Sequence, residues 1–304
     1  MSNKVIEVKN LTKVYDHTVA LENFNLTVEK GHIYGIIGPN GSGKTTLFRM
    51  LAGLSEPTSG SISFFGNSNN LKEERQRMSF MIELPYLDLG MTAKENLMML
   101  RYIRGVSDEK KIGEVLEIVG LKDTGNKIVK KFSLGMKQRL GIAMALLSDP
   151  EVMVLDEPVN GLDPEGMVEI RKLLKKLSEE MGVSILISSH ILTELYELST
   201  DYALIKNGKL IETLSADELH NKCRSFIALK TDDINKSAVI LEEKLNIKSY
   251  KVVSDEEIHI YEEFNRISQI SKTVTDNGQV ILKLNVEGES LEDYYLEKVG
   301  DIHE

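Results

Sequence analysis

Residues 32–54, "HIYGIIGPNGSGKTTLFRMLAGL", carry the pattern that decides the fold. The opening apolar run predicts a buried strand, and the glycine-rich segment after it predicts a tight loop. Leu47, Met50, Leu51 and Leu54 then recur at helical spacing. Strand, glycine loop and helix in this order are the context in which G-x-x-x-x-G-K-[ST] forms a phosphate-binding loop. The stretch therefore predicts an α/β domain that binds a phosphorylated ligand.

The residues of this loop give the physical reason for phosphate binding. Its three glycines let the backbone bend so that N–H groups point at phosphate oxygens, and the helix N-terminus adds positive potential. We expect Lys44 to neutralise the β- and γ-phosphates of a nucleotide and the Thr45 hydroxyl to bind Mg²⁺. The predicted nucleotide-binding residues are Gly38, Pro39, Asn40, Gly41, Ser42, Gly43, Lys44, Thr45 and Thr46.

A second stretch, "EVMVLDEPVNGLDP" at 151–164, supplies carboxylates. Its continuous apolar run is typical of a central parallel strand, and ligands bind at the carboxyl ends of such strands. We expect Asp156 to hold Mg²⁺ through water, and Glu157 to polarise the water that attacks the γ-phosphate. A third apolar strand, 183–189, ends at His190, which the same reasoning adds to the predicted site.

Composition predicts two domains and limits the partners. The chain has 304 residues and a net charge of −10. From residue 215 onward there are 19 acidic and 11 basic residues, and all six prolines lie at or before Pro164. We therefore expect a nucleotide-binding domain at 1–214 and an accessory domain at 215–304. An acidic chain lacks the basic face that nucleic acid binding needs, so no nucleic acid partner is expected.

The sequence also bears on the compartment. It has no apolar run of membrane-spanning length and no signal-peptide stretch at its N-terminus. Its single cysteine, Cys223, cannot form an internal disulfide. We interpret Cys223 as an inert thiol in a cytosolic protein.

The stretch 131–158, "KFSLGMKQRLGIAMALLSDPEVMVLDEP", resembles the ATP-binding subunit of ABC transporters. The family signature L-S-G-G-Q stands here as F-S-L-G-M, which keeps Ser133 and Gly135 but not the second glycine or the glutamine. Ser133 is a predicted N-cap of an amphipathic helix, where an anion should bind. The resemblance covers residues 4–214 with five motifs in the family order.

The resemblance implies ATP and Mg²⁺ as cofactors and a head-to-tail homodimer that buries two ATP molecules. Ser133 and Gly135 would then contact the γ-phosphate held by the other subunit. The resemblance further implies that Tyr15 stacks on adenine, that Asp163 lies in the loop joining the two active sites, and that His190 contacts the γ-phosphate. It implies a separate transmembrane permease as partner, and a peripheral location at the cytoplasmic face of the membrane.

One position departs from the family. A glutamine normally ends the strand between the phosphate loop and the signature, but here "RMSFMIE" ends at Glu83. A glutamate is charged at neutral pH, so we expect Glu83 to be an anionic Mg²⁺ ligand. Together with "SLGMKQRLGIA" and "SSHIL", this glutamate resembles the exporter branch that gives immunity to bacitracin and lantibiotics.

Two other functions stay open. A general drug, lipid or ion exporter would have similar architecture, because the cargo does not touch this subunit. A soluble ABC ATPase acting on ribosomes or DNA is the other. Such proteins usually carry two cassettes or a long coiled-coil insertion, which this chain lacks.

Beyond Glu83 the sequence predicts a helical subdomain at about 85–150. Pro85 breaks the preceding strand, and Thr92 with Glu95 forms a predicted capping box at a helix start. The segment 84–89 carries apolar residues, which either pack in the core or, as the resemblance implies, form a groove for a short helix of the permease. These residues are Leu84, Tyr86, Leu87 and Leu89.

The accessory domain has its own periodicity. From about residue 224 it reads strand, helix, strand, strand, helix, strand, with a closing helix in "SLEDYYLEKVG". The order βαββαβ is that of a ferredoxin-like split unit. No metal-ligand spacing or nucleophile constellation is present there, and its acidic clusters are expected to be solvated surface.

Overall fold

The computed structural model describes residues 3–83, 85–190, 192–223, 225–288 and 291–299. The chain divides into two compact units, Met1–Ala216 and Asp217–Glu304, called here the first and the second unit. The strands of the first unit are β1 Lys4–Tyr15, β2 Thr18–Glu29, β3 Ile33–Ile37, β4 Ser59–Phe64, β5 Met78–Met81, β6 Val152–Asp156, β7 Ser184–Ser189, β8 Asp201–Lys206 and β9 Lys209–Ser215. Its helices are α1 Lys44–Leu51, α2 Leu71–Glu74, α3 Ala93–Arg104, α4 Lys110–Ile118, α5 Leu134–Leu146, α6 Pro164–Glu179 and α7 Leu192–Tyr196.

The first unit is built around a six-stranded sheet in the order β5-β6-β7-β3-β8-β9. Neighbouring strands from β5 to β8 are parallel, and β9 is antiparallel to β8. Every residue of β6 and β7 is buried, as their continuous apolar sequences predict. The carboxyl ends of β3, β6 and β7 therefore meet at one edge of the sheet.

A smaller antiparallel sheet, in the order β2-β1-β4, shares a core with α1 and the large sheet. Phe24 and Phe64 of this sheet, Phe48 of α1 and Ile36 of β3 are fully buried in one cluster. Truncating a buried phenylalanine costs about 3–5 kcal/mol. This shared core holds the helix that follows the phosphate loop.

The phosphate loop leads directly into α1, which begins at Lys44. Gly43 precedes it with φ 108°, a left-handed conformation that glycine tolerates. A Cβ at Gly38 would lie 2.3 Å from the Ile205 carbonyl oxygen, so the loop needs glycine there. Leu47, Met50 and Leu51 are buried as predicted. The prediction for Leu54 is wrong: the helix ends at Leu51, and Leu54 is 72% exposed.

Helix α5 begins at the predicted N-cap, since Ser133 Oγ accepts a hydrogen bond from Met136 N at 3.2 Å. The prediction that this helix is amphipathic is wrong. Its small residues let neighbours approach closely, and a Cβ at Gly141 would lie 2.8 Å from the Pro85 ring. The buried residues lie on all sides of the helix. They are Gln138, Leu140, Gly141, Ile142, Ala143, Ala145 and Leu146.

The segment after β5 also differs from expectation. The strand ends at Met81 rather than Glu83, because Glu83 adopts a left-handed turn with φ 63°. The capping box at α3 is confirmed: Glu95 N donates to Thr92 Oγ1, and Thr92 N donates to Glu95 Oε2. In the intervening loop Tyr86 and Leu89 are exposed and Leu87 is half-buried, whereas Leu84 lies outside the described residues.

The second unit follows the predicted order of elements after a short helix, α8 Ala216–Lys222, at the boundary. Its four-stranded sheet has the order β11-β12-β10-β13, and each neighbouring pair is antiparallel. The core cluster includes Leu229 and Ile258 from the sheet and Leu241 and Val274 from the helices. The elements are β10 Phe226–Thr231, α9 Ile234–Leu245, β11 Tyr250–Ser254, β12 Glu257–Ile260, α10 Ile267–Asp276, β13 Ile281–Glu287 and α11 Leu291–Val299.

Candidate functional site

Lys44 is held inside the phosphate loop. Its side chain is 5% exposed, and its Nζ donates to the carbonyl oxygens of Gly38 at 2.8 Å and Pro39 at 3.2 Å. Burial lowers the pKa of the Lys44 ammonium, and the carboxylates of Glu157 and Asp156 oppose that shift. The loop therefore places one buried amine among backbone groups suited to phosphate oxygens.

Asp156, at the end of β6, is 4% exposed and accepts two hydrogen bonds. Thr45 Oγ1 donates to its Oδ2 at 2.7 Å, and Ser188 Oγ donates to its Oδ1 at 2.6 Å. Ser188 also accepts from Glu157 N at 3.0 Å. The sequence predicted Thr45 and Asp156 but missed Ser188. Its position near the end of β7, two residues before His190, was the available signal.

Glu157 and His190 come together as predicted. His190 Nδ1 lies 3.1 Å from Glu157 Oε2, which also accepts from Asn160 Nδ2 at 3.2 Å. Lys44 Nζ lies 3.6 Å from the other carboxylate oxygen. Glu157 has φ 47°, so its backbone turns sharply directly after the strand. A carboxylate held from both sides in this way can accept a proton from water beside a bound phosphate.

These groups border a cavity of about 380 Å³, which we call the carboxylate cavity. It unites four predicted site residues with two that sequence reasoning missed. Glu83, at its border, is 60% exposed and pairs with Arg49, whose Nη2 lies 2.6 Å from Glu83 Oε1. The lining residues are Thr45, Glu83, Gln138, Asp156, Glu157 and Asn160.

Gln138 and Asn160 line this cavity, and Arg49 contacts Glu83 at its border; none of the three was predicted. Gln138 is 2% exposed, and its Oε1 has no hydrogen-bond partner among the described residues. The signal for Gln138 was its place in the quoted stretch 131–158, five residues after Ser133. Arg49 gave no comparable signal, because a basic residue in the last turn of a helix is common.

A further carboxyl, the half-buried Glu194, lies near His190. Glu194 Oε2 accepts from Ser189 Oγ at 3.1 Å, while Oε1 has no partner within the described part of the chain. Burial raises the pKa of the Glu194 carboxyl above its usual range. Glu194 was not among the predicted site residues.

The signature residues line a different cavity, of about 460 Å³. Ser133 and Gly135 lie there at the N-terminus of α5, beside Asp163. Asp163 caps α6 by accepting from Gly166 N at 3.0 Å. This cavity shares none of its described lining residues with the carboxylate cavity. Within one chain the predicted residues thus line two separate cavities: Thr45, Glu83, Asp156 and Glu157 line the carboxylate cavity, and Ser133, Gly135 and Asp163 line the second one.

Tyr15 belongs to neither set. It lies at the end of β1, is 43% exposed, and its hydroxyl lies 3.2 Å from Ser55 Oγ. Lys13 Nζ lies 4.7 Å from its ring centroid. An exposed ring of this kind is free to stack on a flat ligand on its open face.

The donor set fits Mg²⁺. No group of three His, Cys, Asp or Glu side chains that could enclose a metal occurs in the described residues. Mg²⁺ rarely needs such a cage, because it binds one or two carboxylates together with water and substrate phosphates. Thr45, Asp156 and Glu83 supply a hydroxyl and two carboxylates at one cavity. These are the residues that would hold the ion beside a nucleotide.

The family model for ABC transporters matches residues 21–160. The bacitracin transport ATP-binding protein BcrA of Bacillus licheniformis is 42% identical over 298 residues, 97% of each chain. The lantibiotic transport ATP-binding protein SrtF of Streptococcus pyogenes is 42% identical over 207 residues, 68% of this chain and 89% of its own. A solved dimeric ATP-binding cassette in a post-hydrolysis state, with ADP and Pi bound, superposes with a TM-score of 0.63 and 27% identity, covering 69% of this chain and 98% of that one.

The chain belongs to the ATP-binding proteins of ABC transporters. It binds ATP and hydrolyses it as the ATPase subunit of such a transporter. Within the part of the chain that the structure describes, every helix is too short or too polar to cross a bilayer.

Proposed function

We propose that this ATPase powers a separate membrane permease that exports peptide antibiotics of the bacitracin or lantibiotic type. The observation that carries the proposal is the 42% identity to a bacitracin transport protein along 97% of the chain, which includes the second unit. The similarity to a lantibiotic transport protein over 68% of the chain supports the same class of cargo. The ATPase would act at the cytoplasmic face of the membrane, bound to its permease.

We assign the following roles at the carboxylate cavity. The loop N–H groups and Lys44 bind the β- and γ-phosphates, and Glu157 accepts a proton from the attacking water. His190, 3.1 Å from Glu157, orients that carboxylate and contacts the γ-phosphate. Tyr15 stacks on the adenine ring.

We further propose that Thr45, Asp156 and Glu83 hold Mg²⁺. When bound, the ion neutralises phosphate charge and orients the nucleotide. Glu83 in place of glutamine adds a full negative charge to this set. At about 4 Å, an effective dielectric of 20 gives an attraction on the order of 4 kcal/mol per unit charge before desolvation. Replacing Glu83 with glutamine should therefore weaken the binding of a divalent cation.

The second cavity supports a homodimer. The free N–H groups of α5 and the positive end of its dipole suit an anion, and Ser133 caps that end. Since this cavity is separate from the carboxylate cavity, its anion would be the γ-phosphate bound by a second copy. Two ATP molecules would then lie between two chains, with Asp163 joining the sites. A dimeric cassette among the similar solved structures supports this arrangement.

For the accessory region we propose a ferredoxin-like unit. The strand order β11-β12-β10-β13 with antiparallel neighbours supports it. In such a unit a helix connects two strands that are not neighbours, and a third strand pairs between them. Here β12 lies between β10 and β11 and is antiparallel to both. We assign the nucleotide-binding domain to 1–214, with its helical subdomain at about 85–150, and the accessory domain to 215–304. The division of the chain into two compact units supports this assignment.

The cargo is tested by the sensitivity of a strain that lacks the protein to bacitracin, several lantibiotics and unrelated small drugs. The expected result is selective sensitivity to one peptide class, restored by the intact gene but not by the Glu157→Gln variant. Sensitivity to the small drugs instead would favour a general drug exporter. An unchanged panel would refute the peptide cargo and leave the ATPase assignment standing.

A further inference from the structure

The ion pair between Arg49 and Glu83 lies at the border of the carboxylate cavity. Arg49 is in α1, the helix that also carries Lys44 and Thr45. Its side chain is 48% exposed, and its guanidinium donates to one oxygen of Glu83 at 2.6 Å. Glu83 in turn lines the cavity together with Thr45. One carboxylate therefore faces both an arginine and the groups suited to Mg²⁺.

The pair is weak enough to be exchanged. Both side chains are about half exposed, and such surface pairs contribute only about 0.2–1 kcal/mol. A divalent cation held by a hydroxyl, a second carboxylate and nucleotide phosphates attracts the same carboxylate more strongly.

We propose that Arg49 is a positioning residue that competes with the divalent cation for the Glu83 carboxylate. In doing so, Arg49 sets the cation concentration at which the nucleotide site fills. The inference rests on the proposed role of Glu83 as a cation ligand. It adds a residue of the first helix to the determinants of metal affinity.

A simpler electrostatic effect must be separated from this competition. A positive charge near the cavity repels a cation through space, whether or not it contacts Glu83. The carboxylates of Asp156 and Glu157 attract the cation irrespective of Arg49. Only the competition requires the carboxylate of Glu83, so the effect of Arg49 must vanish when Glu83 is glutamine.

The test is a titration of Mn²⁺ into the full-length protein with a non-hydrolysable ATP analogue, followed by electron paramagnetic resonance. The binding readout needs no turnover. Arg49→Met should lower the apparent Kd for Mn²⁺ about two- to fivefold, the equivalent of losing a weak surface pair. Arg49→Lys, which keeps a cation able to reach Glu83, should bind Mn²⁺ like the wild type. If Arg49→Met bound Mn²⁺ no more tightly than the wild type, the proposal would be overturned.

The same two variants are then measured with Glu83→Gln. Arg49→Met should have no effect in that background, and an effect that persisted would mean through-space repulsion and overturn the competition. Glu83→Gln alone separates the two proposals. If it binds Mn²⁺ like the wild type, the cation role of Glu83 falls and the inference falls with it. If it weakens binding while Arg49→Met changes nothing, only the role of Arg49 falls.

Discussion

The two units contain similar elements but organise polar side chains differently. In the first unit parallel strands bring their carboxyl ends to one edge, and Asp156, Ser188 and His190 meet there within hydrogen-bond distance of a partner. The second unit has an antiparallel sheet, in which neighbouring strands end at opposite edges. Strand direction, rather than strand content, determines where a site can form.

Several polar groups of the second unit occur as pairs on its sheet or between neighbouring elements. Glu257 accepts from Lys230 and lies 2.9 Å from His259, all on the sheet, and Tyr250 donates to Glu242. These contacts satisfy one another on the surface of the unit. In the first unit, by contrast, Gln138 and Glu194 keep buried oxygens without partners among the described residues. Among the described residues, the buried side-chain atoms without a hydrogen-bond partner all belong to the first unit.

The largest expected effect concerns the carboxylate of Glu157. Glu157→Gln keeps the shape of the side chain but removes its ability to accept a proton, so ATP turnover should fall at least about 100-fold. Nucleotide binding should persist, and ATP should trap a dimer. Phosphate release and gel filtration with ATP measure the two effects. Turnover near the wild-type rate would remove Glu157 from catalysis and weaken the contrast between the units.

The next effect tests whether the units are energetically separate. Leu229→Ala removes a fully buried side chain of β10 and should cost about 2–5 kcal/mol of unfolding free energy in the second unit. ATP hydrolysis by the purified protein should stay near the wild-type rate. Denaturant unfolding and a hydrolysis assay measure both.

The matched control for this change is Ile187→Ala. Ile187 is 1% exposed and lies on β7, next to Ser188. Ile187→Ala should lower the unfolding free energy of the first unit and, as a result, reduce ATP hydrolysis. If Leu229→Ala reduced hydrolysis as strongly as Ile187→Ala, the two units would act as one.

The smallest effects are pH-dependent and opposite in sign. Hydrogen bonds from His259 and Lys230 lower the pKa of Glu257, so its stabilisation is present above pH 4.5 and is lost as pH falls through the lowered value. Burial raises the pKa of Glu194, so its stabilisation is present below pH 4.5 and is lost as pH rises through the raised value. The ion pairs of Glu257 contribute on the order of 1 kcal/mol or less.

Unfolding free energies between pH 3 and 7 measure these slopes. Glu257→Gln should flatten the loss of stability on the acid side, and Glu194→Gln should flatten the loss on the neutral side. Glu179→Gln, at an exposed position on α6, serves as the control and should change neither slope. If both variants changed the pH slope of the unfolding free energy in the same direction, the contrast between the paired Glu257 and the partly buried Glu194 would be wrong.

The sequence by itself determined the parts of the site that depend on local geometry. The phosphate loop, the β6 carboxylates, the Ser133 cap and the capping box at Thr92 are set by residues within a few positions of one another. Such short-range patterns constrain the backbone directly. The pairing of Glu157 with His190 followed from one further rule, that parallel strands end at the same edge.

Tertiary structure alone decided the rest. The burial of α5 on all sides depends on what packs against it, so a sequence read for amphipathicity gave the wrong result. The contacts of Ser188 with Asp156 and of Arg49 with Glu83 join residues 32 and 34 positions apart. No local pattern encodes such contacts, because they arise only when β6 pairs with β7 and α1 packs against the large sheet. Periodicity and turn chemistry act over a few residues, whereas the partners of each polar side chain are set by packing across the whole unit.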